Sequence, residues 1–88
     1  MNYQDEILYI STRIKELRKE RKLTVQELAY RCDMERSNLS RIEAGRTNLT
    51  VKTICSICNA LSVNMRDVIR YMLFLGRFFK IRIFTVII

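Results

Sequence analysis

Along most of the chain apolar residues recur at steps of three and four, and near its end they alternate with charged ones. Ile7, Ile10, Ile14 and Leu17 set the first stripe, between Thr12, Arg13, Lys15, Glu16 and Arg18, which predicts an amphipathic helix ending near Lys22. Ser11 or Asp5 caps it, with the residues before Ser11 adding a helical turn or forming a short arm. Thr24-Val25-Gln26-Glu27 has the form of a capping box, so a second helix of about two turns starts there, with Leu28, Ala29 and Cys32 inward. Asp33, a residue type that tolerates left-handed backbone, falls where the chain must turn. Leu39 and Ile42 mark the buried side of a third short helix, which Gly45 stops, while Arg36, Ser37, Ser40 and Arg41 face elsewhere. A fourth helix follows Thr50, with Val51, Ile54, Ile57, Cys58 and Leu61 inward. A fifth follows Asn64 and runs to about residue 74, with Met65, Val68, Ile69 and Met72 inward.

After Gly76 the texture changes. Phe79, Ile81 and Ile83 alternate with Lys80 and Arg82, and Phe84, Val86, Ile87 and Ile88 add β-branched and aromatic density, so this tail reads as a strand. The expected fold is therefore all-α, with an N-terminal extension at 1–10, five helices within 11–75 and a hydrophobic β-strand-like tail at 76–88. With 88 residues the chain has room for one domain. The absence of proline, and glycine at Gly45 and Gly76 only, permit long helical runs.

Charge narrows the partners. Sixteen Lys and Arg against nine Asp and Glu give +7, and the pI is near 9.8, which suits a polyanion: DNA, RNA or an anionic membrane surface. The stretch LTVQELAYRCDMERSNLSRIEAGR, Leu23 to Arg46, chooses among them. With QELA at Gln26 to Ala29, the run Ser37 to Gly45 and the later NLTVKTICSICNALSV, it resembles the phage repressor and Cro class of helix-turn-helix proteins, the Xre family, over roughly residues 11 to 70. The resemblance implies a lambda-repressor-like fold and a Cro/C1-type transcriptional regulator that binds double-stranded DNA; the hydrophobic tail, as an unpaired strand, adds the expectation of a homodimer. Short helices joined by a turn of about three or four residues support the same arrangement physically, because the second then projects across the first.

A helix fits the major groove, so residues near the N-terminus and on the outer face of the recognition helix (about 36–44) reach base edges. Arg36, Ser37, Asn38 and Arg41 are the candidates, the arginines donating in pairs to guanine O6 and N7, and Asn38 pairing with adenine if it faces the groove. Thr24, Gln26, Ser40, Arg46, Thr47 and Asn48 are the candidate phosphate contacts, from the second helix's N-terminus, the recognition helix and the loop after Gly45. The resemblance further implies an ion pair between Arg18 and Glu43. Two positions depart from the family pattern: Val25, where a polar side chain is usual, and Glu35, where Ser or Thr commonly caps the recognition helix.

Other signals take plainer readings. Cys55-Ser56-Ile57-Cys58 matches C-x-x-C but sits in a helix without a second pair, so packing is preferred to zinc and no cofactor or metal is expected. Three cysteines, an odd set, and an N-terminus without a signal-peptide pattern fit the reducing cytoplasm. With no His or Trp, no glycine-rich loop and no nucleophile paired with a base, no enzyme is expected. Tyr71, Phe74, Phe78, Phe79 and Phe84 read as core or interface rather than as a stacking platform. Nor do residues 71–88 read as a membrane anchor: their eleven Leu, Ile, Phe and Val residues contribute about −5 kcal/mol in all, and Arg77, Lys80 and Arg82 cost up to about 3 each. Phe79, Ile81 and Ile83 are instead the candidate dimerisation strand. The alternative is an antitoxin-like or adaptor protein whose tail binds another protein.

Overall fold

A computed structural model describes residues 2–69, which form four α-helices and one 3₁₀ turn: α1 Tyr3–Glu20, α2 Val25–Arg31, α3 Arg36–Glu43, α4 Val51–Leu61 and the turn Met65–Asp67. α1 and α2 each pack against both α3 and α4. The apolar stripes meet in one core, in which Ile14, Leu28, Leu39, Ile57 and Leu61 are fully buried and Val68 closes the end.

The first helix starts earlier than expected. Asn2, not Ser11 or Asp5, is the cap, its side chain accepting from the Gln4 amide at 2.8 Å. Residues 3–10, expected to precede the domain, thus belong to α1. Ser11 is mid-helix and buried, its hydroxyl donating to the Ile7 carbonyl one turn back. Beside it Leu8 lies against Gly45, whose added Cβ would stand 3.4 Å from Leu8 Cδ1.

One device ends all four helices. At Lys22, Asp33, Gly45 and Ser62 the backbone turns left-handed, with φ between 57° and 73°. The next amide bonds back to the fifth carbonyl before it: Leu23 to Arg18, Met34 to Ala29, Arg46 to Arg41 and Val63 to Cys58, each at 3.0–3.1 Å. Leu23, Met34 and Val63 pack on the core, which holds their turns closed although three of the four left-handed residues carry a Cβ. Arg46 is the exception and stays exposed.

The fifth helix shrinks to a 3₁₀ turn within the described residues. The Val68 amide bonds to the Met65 carbonyl at 3.0 Å, and the Asp67 carboxylate accepts from the Asn64 amide at 2.8 Å. Arg13 Nε donates to the Asp67 carbonyl at 2.9 Å, pinning the turn to α1. Val51, expected inward, is exposed, because the core beneath α4 begins one turn further on at Ile54. The tail at 76–88, with Phe79, Ile81 and Ile83, lies outside the described residues, among which there is no strand.

A buried ion pair joins the ends of α1 and α3. Arg18 Nε and Nη2 donate to the two Glu43 carboxylate oxygens at 2.7 and 3.0 Å, and Arg18 Nη1 donates to the Leu23 carbonyl at 2.7 Å. Their side chains keep only 10% and 6% of their exposure. Such a pair is worth little against apolar replacements, but breaking one side strands a charge at a cost of about 3–5 kcal/mol. Arg18→Ala is therefore expected to lose that much in urea unfolding, and Arg18→Met with Glu43→Leu clearly less. Equal losses in the two variants would contradict a stranded charge as the cause.

Candidate nucleic-acid interface

Helix α3 is eight residues long and has two faces. Leu39 and Ile42 point into the core, whereas Arg36, Ser37, Ser40 and Arg41 are exposed and lie together by helical spacing. Glu35 takes the cap position without a side-chain cap bond, so the first amides of α3 have no side chain over them. An exposed helix N-terminus with two arginines and two serines on one face suits an anionic partner rich in acceptors.

Asn38 sits apart from that face. It is half-buried on the flank of α3, and its Oδ1 accepts from Arg41 Nη2. Both line a cleft of about 260 Å³ with Met34, Ile42, Thr47, Asn48, Leu49 and Thr53, so the flank of α3 and the loop after Gly45 form one continuous surface. Arg46, Thr47 and Asn48 also edge a second cleft, of about 230 Å³, with Tyr3, Gln4, Ile7 and Gly45. Tyr3 and Gln4 are neighbours that sequence reasoning missed. The sign was Asn2, a good cap residue ahead of the stripe begun by Ile7.

Thr24 and Gln26 lie elsewhere, at the start of α2, around a depression of about 630 Å³ shared with Glu27, Tyr30 and Arg31. The Thr24 hydroxyl accepts from the Glu27 amide at 3.0 Å, and the Glu27 carboxylate accepts from the Thr24 amide at 2.8 Å. Val25 is half-buried against the core, which explains an apolar residue there. Tyr30 was missed as well: it is 86% exposed between this depression and one running to Glu35, as a position off the apolar stripe of α2 foretells. Arg18 and Glu43 lie behind the surface, and Phe79, Ile81 and Ile83 fall outside the described residues.

Cys32 and Cys58 are buried and Cys55 is exposed. Burial pushes the Cys32 and Cys58 thiols up, away from the thiolate that binds metals. Among the described residues no cluster of His, Cys, Asp or Glu could hold a metal ion, and no helix is long and apolar enough to cross a membrane.

Residues 14–68 match the helix-turn-helix family HTH_3. The chain is 37% identical over 60 residues to the immunity repressor protein of Bacillus phage phi105; the match spans 68% of this chain and 42% of the repressor. Among solved structures it is similar to the restriction-modification controller protein C.AhdI from Aeromonas hydrophila, with a TM-score of 0.70 and 25% identity, covering 73% of this chain and 97% of that one. The clp gene regulator ClgR from C. glutamicum aligns with a TM-score of 0.68 and 26% identity, over 70% of this chain and 80% of its own. By name these relatives are a repressor, a controller and a regulator, not enzymes.

The capping box carries a pH dependence. The Thr24 amide, and after it the Thr24 hydroxyl, hold the Glu27 carboxyl below the usual carboxylate range. A depressed folded pKa stabilises the fold above the unfolded value of about 4.3, and that contribution disappears as pH falls through the lower folded value. Glu27→Gln keeps an acceptor without the titration, so part of the acid loss in melting temperature below about pH 4.3 is expected to vanish in the variant. Parallel wild-type and variant profiles would contradict this.

Proposed function

The chain belongs to the HTH_3 helix-turn-helix family, and from that premise we propose that it is a sequence-specific regulator of transcription that binds double-stranded DNA as a homodimer, with α3 in the major groove. The exposed polar face of α3, anchored from behind by the Arg18–Glu43 pair, carries the reading. Arg36 and Arg41 read guanines, Ser37 touches an adjacent base, and Ser40 lies nearer the backbone. Thr24 and Gln26 on one side and Arg46, Thr47 and Asn48 on the other hold phosphates, with a net charge of +7 in support. Glu35, beside the helix start, repels phosphate and favours a cytosine amine, trading affinity for selectivity. Repression as the mode of control rests on the likeness to the phage immunity repressor. The homodimer rests on the alternation of Phe79, Ile81 and Ile83 with Lys80 and Arg82, which as a strand would offer an unpaired edge to a second copy.

Selection from random duplexes by mobility shift, at two salt concentrations, tests the proposal. The expected outcome is an enriched, two-fold symmetric site. Arg36→Ala should lose about 1–3 kcal/mol of discrimination at one base pair, and Arg46→Ala should weaken all duplexes alike and lower the salt slope by about 1. Removal of residues 77–88 should give monomers in sedimentation. No enriched site would overturn DNA reading, and dimers that persist without the tail would overturn its role in assembly.

A further inference from the structure

Resting on that reading of α3, we infer that Asn38 is a positioning residue for Arg41 and does not read a base of its own. To read adenine, an asparagine amide must accept from N6 and donate to N7 together. Asn38 Oδ1 is already engaged, accepting from Arg41 Nη2 three residues on along the same helix. The Asn38 side chain is half-buried on the flank of α3, whereas Arg41, which borders the same cleft toward Thr47 and Asn48, is exposed.

The consequence lies in the guanidinium. Arginine carries its N–H donors in one planar fork, and a bond to Asn38 leaves the others for a guanine edge while fixing the plane in which they lie. Less side-chain freedom is then lost when DNA binds, and a base that does not match that plane is rejected more strongly. Arg36 differs: its side chain has no hydrogen-bond or ion-pair partner among the described residues. The two arginines therefore divide the work, Arg41 as the preset reader and Arg36 as the adaptable one.

The test uses the full chain and the duplex that the wild type enriches, together with single-base-pair variants of it, in competition mobility shifts. Arg41→Ala is expected to abolish discrimination at one G·C pair. Asn38→Ala should lower discrimination at that same pair by roughly threefold to tenfold and at no other, as for a coupled neighbour, and should add nothing in the Arg41→Ala background. Asn38→Asp keeps the acceptor but cannot donate to adenine N7, so it should preserve discrimination at the G·C pair even as its charge lowers affinity for every duplex. Loss of discrimination at a separate A·T pair, whichever residue stands at position 41, would overturn the inference and make Asn38 a reader. So would uniform weakening by Asn38→Ala with a lowered melting temperature, which marks a structural role. If the wild type enriches no site, or Arg41→Ala leaves every base preference intact, the inference falls through its premise rather than through Asn38.

Discussion

Glu43 ends α3 with a negative charge where the helix dipole is also negative, and Arg18, from the last turn of α1, neutralises it. The rest of the arrangement depends on that contact. An isolated helix of eight residues is not stable in water, so α3 must borrow its order from what it packs on. Leu39 and Ile42 supply the apolar grip, but an apolar grip has no direction. The two-pronged bond from Arg18 does, and the same guanidinium also holds the Leu23 carbonyl in the turn between α1 and α2. One side chain thus fixes the start of α2 and the roll of α3 together.

The four left-handed helix ends work with this anchor. Three are closed by an apolar residue, Leu23, Met34 or Val63, that belongs to the core, so each turn is held by packing on one side and backbone bonds on the other. The end of α3 is built differently. Gly45 needs no apolar clasp to become left-handed and lets Leu8 approach, and Arg46 stays free to face outward. The loop nearest the candidate interface is therefore polar at the point where the other turns are apolar.

Much of this was legible in the sequence because periodicity and caps are local. The stripes through Ile14, Leu28, Leu39 and Ile57 mark the core, the Thr24–Glu27 box marks α2, and Gly45 marks the end of α3. What escaped was set by tertiary contact. Lys22 and Ser62 carry no sequence sign of left-handed backbone, since the core residues after them impose it. Ser11 looks like a cap, but it is buried in mid-helix and Asn2 does that work. The reach of Arg13 to the Asp67 carbonyl spans 54 positions, and no pattern within the last turn announces it. On α3 the exposed positions follow from spacing, but the bond between Asn38 and Arg41 is a choice of rotamers that spacing leaves open.

The proposed DNA interface joins the anchored, exposed face of α3 to the start of α2 and the loop after Gly45. Titrating the ¹⁵N-labelled chain with its selected duplex tests this most directly, by mapping amide shifts. The largest shifts are expected at Arg36, Ser37, Ser40 and Arg41, flanked by Thr24 to Gln26 and Arg46 to Asn48. Shifts centred on the exposed side of α4, at Lys52, Cys55 and Asn59, with α3 unmoved, would contradict it.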